Sequence, residues 1–141
     1  MAQYFIDTNI FIYAKGKDHP LKPGCIAWIK RIRDYDLTAV INTEIIQEIL
    51  YRFQSIKKLP DGILLSKEAI EICRIILPVT QNDLTLALEI LESNSRVQTR
   101  DAFHAATMIN NGIQEILSAD PHFDLIPGIR RIDPGQGGDS Q

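Results

Sequence analysis

The sequence predicts an α/β fold, with a mostly parallel sheet and helices on both faces. Two observations predict it. Short apolar runs of strand length alternate with longer segments of helical periodicity, and two of those runs end on an aspartate. Alternating strands and helices form βαβ units, whose crossovers set neighbouring strands parallel. In such sheets ligands bind outside the carboxyl ends of the strands, near the point where strand order reverses.

The first run, Gln-Tyr-Phe-Ile at 3–6, ends on Asp7, and Ile10, Tyr13 and Ala14 follow at helical spacing. A second helix is expected over 23–35, with Ile26, Trp28, Ile29 and Ile32 apolar and Lys30, Arg31 and Arg33 on the polar side. Residues 38–41 read as a buried strand. Asn42 or Thr43 then caps a helix whose buried stripe is Ile45, Ile46, Ile49, Leu50 and Phe53, and which should end before Pro60. Another helix is expected over 66–74, leading into the β-branched run 75–79, where Pro78 marks a strand end or edge. Thr80 and Asp83 form a capping box before Leu84, Ala87, Leu88 and Leu91 at i, i+3, i+4, i+7. Asp101 opens a helix that Asn110-Asn111-Gly112 stops. A short strand at 116–119 ends on Asp120, and 129–132 supplies a last strand before Pro134.

A chain of 141 residues can bury one core, so a single domain over 1–134 is expected, with 135–141, which lack apolar residues, as a disordered tail. The composition, 45% hydrophobic and 23% charged, is that of a globular protein, and no run of about 18 uncharged apolar residues suggests a membrane span. The first seven residues carry no basic leader and meet an acid at position 7, so a cytosolic location is expected. Cys25 and Cys73, 48 positions apart with no metal-ligand spacing, are expected to be reduced packing thiols. A net charge of −3 argues weakly against a protein that coats polyanions, unless several acids converge on a cation.

Such convergence is what the elements imply. Asp7 and Asp120 each terminate a predicted strand, and Asp101 lies in the first turn of the helix feeding the Asp120 strand. All three would emerge at one edge of a parallel sheet, and Glu48, or Glu44 one turn earlier, can reach the same place from the helix after the second strand. Singly each has an ordinary explanation: Asp7 as a helix cap, Asp120 as a turn residue, Asp101 as a complement to the helix dipole, Glu48 as a solvated acid. Together they need protons or a cation to coexist. Carboxylate and water oxygens suit Mg²⁺ or Mn²⁺, and a site of that kind hydrolyses phosphodiesters.

Asp7-Thr8-Asn9 after an apolar strand, Glu48 in a helix, the run Arg100-Asp101-Ala102-Phe103-His104-Ala105-Ala106 and the run Ser118-Ala119-Asp120-Pro121-His122-Phe123-Asp124 resemble, in order and spacing, the PIN-domain nucleases. The closing Ile126-Pro127-Gly128-Ile129 and Arg131-Ile132-Asp133-Pro134 are similar to the VapC-type toxins of type II toxin-antitoxin pairs. The resemblance implies a three-layer α/β/α sandwich, a Mg²⁺ or Mn²⁺ site, endoribonuclease cleavage of single-stranded RNA, frequent homodimerisation and an antitoxin partner whose C-terminal segment covers the site. It also implies Asp7, Glu48, Asp101 and Asp120 as the acidic quartet, with Thr8, Asn9, Ser118 and Asp124 in support, Asp124 being the least secure. A PIN nuclease of RNA maturation and a non-catalytic binding module of the same fold are the alternatives.

Other residues carry weaker signals. His104 and His122 could be ligands, but a lone helical Asp-x-x-His lacks the second copy such sites use. Arg96 and Arg100 are placed to contact RNA phosphates or nearby acids. Lys15, Lys17, Lys22, Lys30, Arg31 and Arg33 make a basic N-terminal quarter that reads as a solvated helix face or as electrostatic guidance for a strand. Trp28, Tyr51 and Phe53 are expected in packing or dimerisation. Asn at position 9 removes the Asp-x-Asp of aspartyl-phosphate phosphatases, and no Gly-x-x-x-x-Gly-Lys stretch indicates a P-loop.

Overall fold

A computed structural model describes residues 2–137. Five strands, β1 (Gln3–Ile6), β2 (Thr38–Asn42), β3 (Ile75–Leu77), β4 (Glu115–Leu117) and β5 (Arg130–Ile132), form one sheet in the order β3-β2-β1-β4-β5. Every pairing is parallel, with Phe5 opposite both Val40 and Ile116. The chain runs outward from β1 to one side, then returns to the other, so strand order reverses between β1 and β4. Phe5, Ile6, Val40, Ile41, Ile116 and Leu117 are wholly buried, as central strands covered on both faces must be. Helices α1 (Thr8–Lys15), α2 (Lys22–Arg33), α3 (Thr43–Ser55), α4 (Leu59–Ile72), α5 (Gln81–Ser93) and α6 (Thr99–Asn110) give the expected three-layer α/β/α sandwich. Among the described residues no helix is long and apolar enough to cross a membrane.

Local chemistry explains most boundaries. Asn42, not Thr43, caps α3, its side chain accepting from the Ile45 N–H at 3.1 Å. The Thr80–Asp83 capping box is present in both directions, at 3.2 and 3.0 Å. Gly112, at φ +70°, ends the segment after α6 in the left-handed conformation that the Asn-Gly stop predicts.

The structure corrects three expectations. Helix α3 ends at Ser55, before Pro60 as expected, but Pro60 then sits in the first turn of α4, where its missing N–H costs nothing, and α4 begins seven residues before the expected 66. Strand β4 stops at Leu117 rather than Ala119, so Asp120 belongs to the loop and caps a 3₁₀ helix over Pro121–Leu125. On α5 the expected apolar stripe is only partly used: Ala87 is buried, but Leu84 and Leu88 are 44% and 54% exposed. The description extends past residue 134. Residues Pro134–Gly137 form a helical turn, α7, against α2, and of the tail only 138–141 lies outside the described residues.

Gly24 is what lets α7 approach. A Cβ at Gly24 would lie 2.2 Å from the Pro134 carbonyl oxygen. Gly24→Ala is therefore expected to displace α7 and cost about 1–3 kcal/mol, read as a lower denaturant midpoint with unchanged m-value. An unaltered midpoint would show that α7 contributes nothing to stability.

Candidate active site

Asp7 leaves β1 still in register with β4, its N–H bonded to the Leu117 carbonyl at 3.0 Å. It is at once a helix cap and a cleft residue. Oδ1 accepts from the Thr8 N–H at 2.8 Å, starting α1, while Oδ2 accepts from Ser118 Oγ at 2.6 Å and Asn9 Nδ2 at 3.1 Å. Ser118 Oγ in turn accepts from the Asp120 N–H at 3.0 Å, and Asn9 Oδ1 from the Ala119 N–H at 3.3 Å. The ends of β1 and β4 are thus tied together at the reversal of strand order. Asp101 lies in the first turn of α6 and shares a hydrogen bond with the Asp120 carboxyl group. Glu48 reaches over from α3, with Oε1 accepting from Thr8 Oγ1 at 2.5 Å and Oε2 at 2.8 Å from His104 Nε2.

The four acids line one cleft of about 350 Å³ with Thr8, Asn9, Glu44, Gln47, Tyr51, Arg52, Ser55 and Arg100. Glu44 and Glu48 both line the cleft, and Glu48 has its two oxygens held and groups with Asp7 and His104, with ligand atoms within 4.8 Å of one another. Asp124 is not brought in. It pairs with Arg131 at 3.1 and 3.2 Å, and Arg131 donates to the Ser118 carbonyl at 3.1 Å, so Asp124 supports the β4 end at one remove. Arg96 also lies away from the cleft, whereas Arg100 lines it. His122 is turned to Asp120 Oδ1 at 2.7 Å. Trp28 is buried as expected, but Tyr51 is 72% exposed on the cleft wall and packs no core. Gln47, Arg52 and Ser55 escaped notice in the sequence, and Tyr51 was noticed only for packing, although with Glu44 and Glu48 they recur at the spacing of one helix face.

Electrostatics separate the acids. Burial drives Asp101 up to about 8, reinforced by the neighbouring Asp7 charge and by the bond to Asp120. Asp7 is also raised, by burial above all. Burial opposes charge on Glu48 as well, but the His104 and Thr8 hydrogen bonds and the Arg100 charge outweigh it and hold the group low. Asp120 is lowered too, because the His122 and Asp101 hydrogen bonds exceed its partial desolvation. Asp101 Oδ2 is buried and, among the described residues, no donor reaches it, which is costly unless something else satisfies it. Hard oxygen donors, a proton retained to offset crowded carboxylates and one orphaned oxygen together fit a divalent cation of the hard class. Cys25 and Cys73, the soft donors of the chain, are buried free thiols outside the cleft, with burial pushing them to about 11 and about 12.

An all-parallel α/β/α sandwich with crowded carboxylates where strand order reverses is the build of a metal-dependent phosphodiester hydrolase. The chain belongs to the PIN-domain family, whose model matches residues 4–129, and within it stands with the VapC ribonucleases. Ribonuclease VapC13 of Mycobacterium tuberculosis is 30% identical over 135 residues, covering 90% of this chain and 97% of that one. The fold agrees with DNA-bound VapBC from Salmonella typhimurium at a TM-score of 0.71 and 18% identity, covering 95% and 99% of the two chains. It agrees with VapC20 of Mycobacterium tuberculosis, described as a sarcin-ricin loop cleaving toxin, at 0.70 and 16% identity, covering 86% and 93%.

Proposed function

We propose that this chain is an endoribonuclease that hydrolyses single-stranded RNA with Mg²⁺ or Mn²⁺ held by Asp7, Glu48, Asp101 and Asp120, and that it is the toxin of a toxin-antitoxin pair. The observation that carries the chemistry is the buried Asp101 Oδ2, to which no donor among the described residues reaches, set among acids that cannot all ionise together. When bound, the cation polarises the scissile phosphate and favours attack by water. The chain's own residues do the rest. Ser118 and Thr8 orient Asp7 and Glu48, Arg100 and Arg52 offer charge to the backbone phosphates, and the exposed Tyr51 ring offers a face to a base.

The toxin role rests on the relatives: a VapC ribonuclease in sequence, and in fold the toxin chains of complexes described as VapBC. An antitoxin partner follows from the same likeness. A second copy of this chain is supported by Leu84, Leu88 and Ile109, large apolar groups left exposed on neighbouring helices α5 and α6. A cytosolic location accords with an RNA substrate and two free thiols.

The test strips purified protein with EDTA and offers it single-stranded RNA. Cleavage should vanish and return with Mg²⁺ or Mn²⁺; cleavage that survives stripping would remove the metal from the mechanism. Expression of the chain alone should arrest growth, and co-expression of an adjacently encoded partner should lift the arrest; harmless expression of an active nuclease would remove the toxin role. Within this reading Tyr51→Ala is expected to raise KM for RNA about tenfold with kcat little changed, the loss of one stacked base. Unchanged kinetics would remove Tyr51 from substrate binding.

A further inference from the structure

His104 has no exposed surface and meets Glu48 from the buried side. Its two ring nitrogens have different partners. Nε2 is 2.8 Å from Glu48 Oε2, and Nδ1 is 3.2 Å from Asn42 Nδ2. The orientation of the Asn42 amide is fixed independently of the histidine. Its Oδ1 accepts the Ile45 N–H that starts α3, so a flipped amide would set two donors against each other there. The amide NH₂ then gives one hydrogen to Thr107 Oγ1, at 3.1 Å, and the other to His104 Nδ1. Thr107 Oγ1 accepts from Asn42 and keeps its own hydrogen for Phe103 O at 3.1 Å or Asp83 Oδ2 at 3.3 Å. Asn42, Thr107 and Asp83 are themselves buried, so no water can substitute for a member of this row.

We propose that His104 is a positioning residue: Asn42 locks it in the tautomer that carries the proton on Nε2, and that N–H fixes Glu48 for the cation. Burial opposes charge on the ring, and the Glu48 hydrogen bond with the Glu48, Asp7 and Asp101 charges outweighs it and raises the pKa, but a proton on Nδ1 would face the Asn42 NH₂. Nδ1 therefore accepts, and the ring has its one hydrogen on Nε2. The ring's remaining lone pair points at Asn42, away from the cleft, so His104 is not a metal ligand although its nitrogen lies within 4.8 Å of oxygens of Asp7 and Glu48. Thr8 and His104 thereby hold one Glu48 oxygen each. The cap that begins α3 and the orientation of a carboxylate on the second turn of that helix thus depend on the same amide.

The proposal rests on the reading of Glu48 as a cation-holding acid, and its test separates the two. In metal-free protein with ¹⁵N-labelled histidine, long-range ¹H–¹⁵N correlation assigns which nitrogen of each ring bears the proton, and His104 is identified as the spin system missing in His104→Gln. A protonated Nε2 with a bare Nδ1 is expected; a protonated Nδ1, alone or in an imidazolium ring, would overturn the proposal whether or not the protein cuts RNA. Mn²⁺ affinity is then measured by titration calorimetry. His104→Gln retains an N–H donor at the position of Nε2 and should bind within about threefold of the parent, whereas His104→Leu should bind about 10–100-fold more weakly. Equal losses in both variants would make the ring a ligand, and no loss in His104→Leu would make it mere packing; either result overturns the proposal. Should His104→Leu not fold, the spectrum and the glutamine variant still decide.

Discussion

Asp101→Asn is expected to abolish RNA cleavage, by about 10³-fold or more, while making the metal-free protein more stable. The loss follows from removing an anionic oxygen from a site whose cation contributes several kcal/mol to the transition state. The gain follows from the pKa. Asp101 in the folded, metal-free protein holds its proton up to about 8, against about 3.9 for an unfolded aspartate. Between those values the folded state binds the extra proton, so the contribution of this group to stability falls as pH rises and is lowest above pH 8. Asparagine carries no charge to desolvate. Its advantage should therefore be absent near pH 4 and grow towards pH 8, where it is on the order of 1–2 kcal/mol, or about 3–8 °C in Tm. Thermal melts of both proteins in EDTA across that range check this. An Asn variant less stable than the parent at pH 8 would mean that Asp101 is held by contacts a neutral amide cannot keep.

Metal affinity is expected to rise about tenfold per pH unit up to about pH 8 and then level off. The cation competes with the proton that Asp101 keeps in the free protein, and Asp7, raised in the same direction, adds to the competition at the acidic end. Glu48 and Asp120, both held low, are already ionised and contribute no slope in this range. Mn²⁺ titrations at pH 6, 7 and 8 should differ by about 100-fold from end to end, and calorimetry in buffers of different ionisation heat should register release of close to one proton at pH 7. Affinity independent of pH, with no proton released, would place the cation away from Asp101.

The sequence showed where acids gather but not how they are held. Asp7, Asp101 and Asp120 were legible because a strand end and a helix start are one-dimensional signals, and a parallel sheet brings both to one edge. Thr8 and Asn9 were legible as polar neighbours of Asp7, since both lie within two residues of it. What distinguishes Glu48 from Glu44 was not legible, because the two lie one turn apart on the same helix, and the groups that hold Glu48 are Thr8, 40 residues away, and His104, 56 residues away. The row from His104 through Asn42 to Thr107 was hidden for the same reason: each member reads locally as a cap or a helix polar residue. The setting of Asp124 was not legible, because its partner, Arg131, lies on the following strand. Pro60 was read as lying beyond a helix end, which it does, but not as the first turn of the next helix, since proline follows one helix and begins another with equal ease. The exposed leucines of α5 kept perfect helical periodicity, which records that a face is apolar but not what covers it.

The central claim is that these acids direct water, through a cation, at a phosphodiester of single-stranded RNA. The most direct measurement is the chemistry of the ends produced when metal-stripped protein, restored with Mg²⁺ or Mn²⁺, cuts a defined RNA. Attack by water should leave a terminal monophosphate and an intact 2′-hydroxyl at the break, with no such product in EDTA or from Asp101→Asn. Fragments ending in a 2′,3′-cyclic phosphate, or ends that form equally without metal, would contradict it, because they require attack by the ribose hydroxyl under acid-base catalysis rather than by water at this cluster of carboxylates.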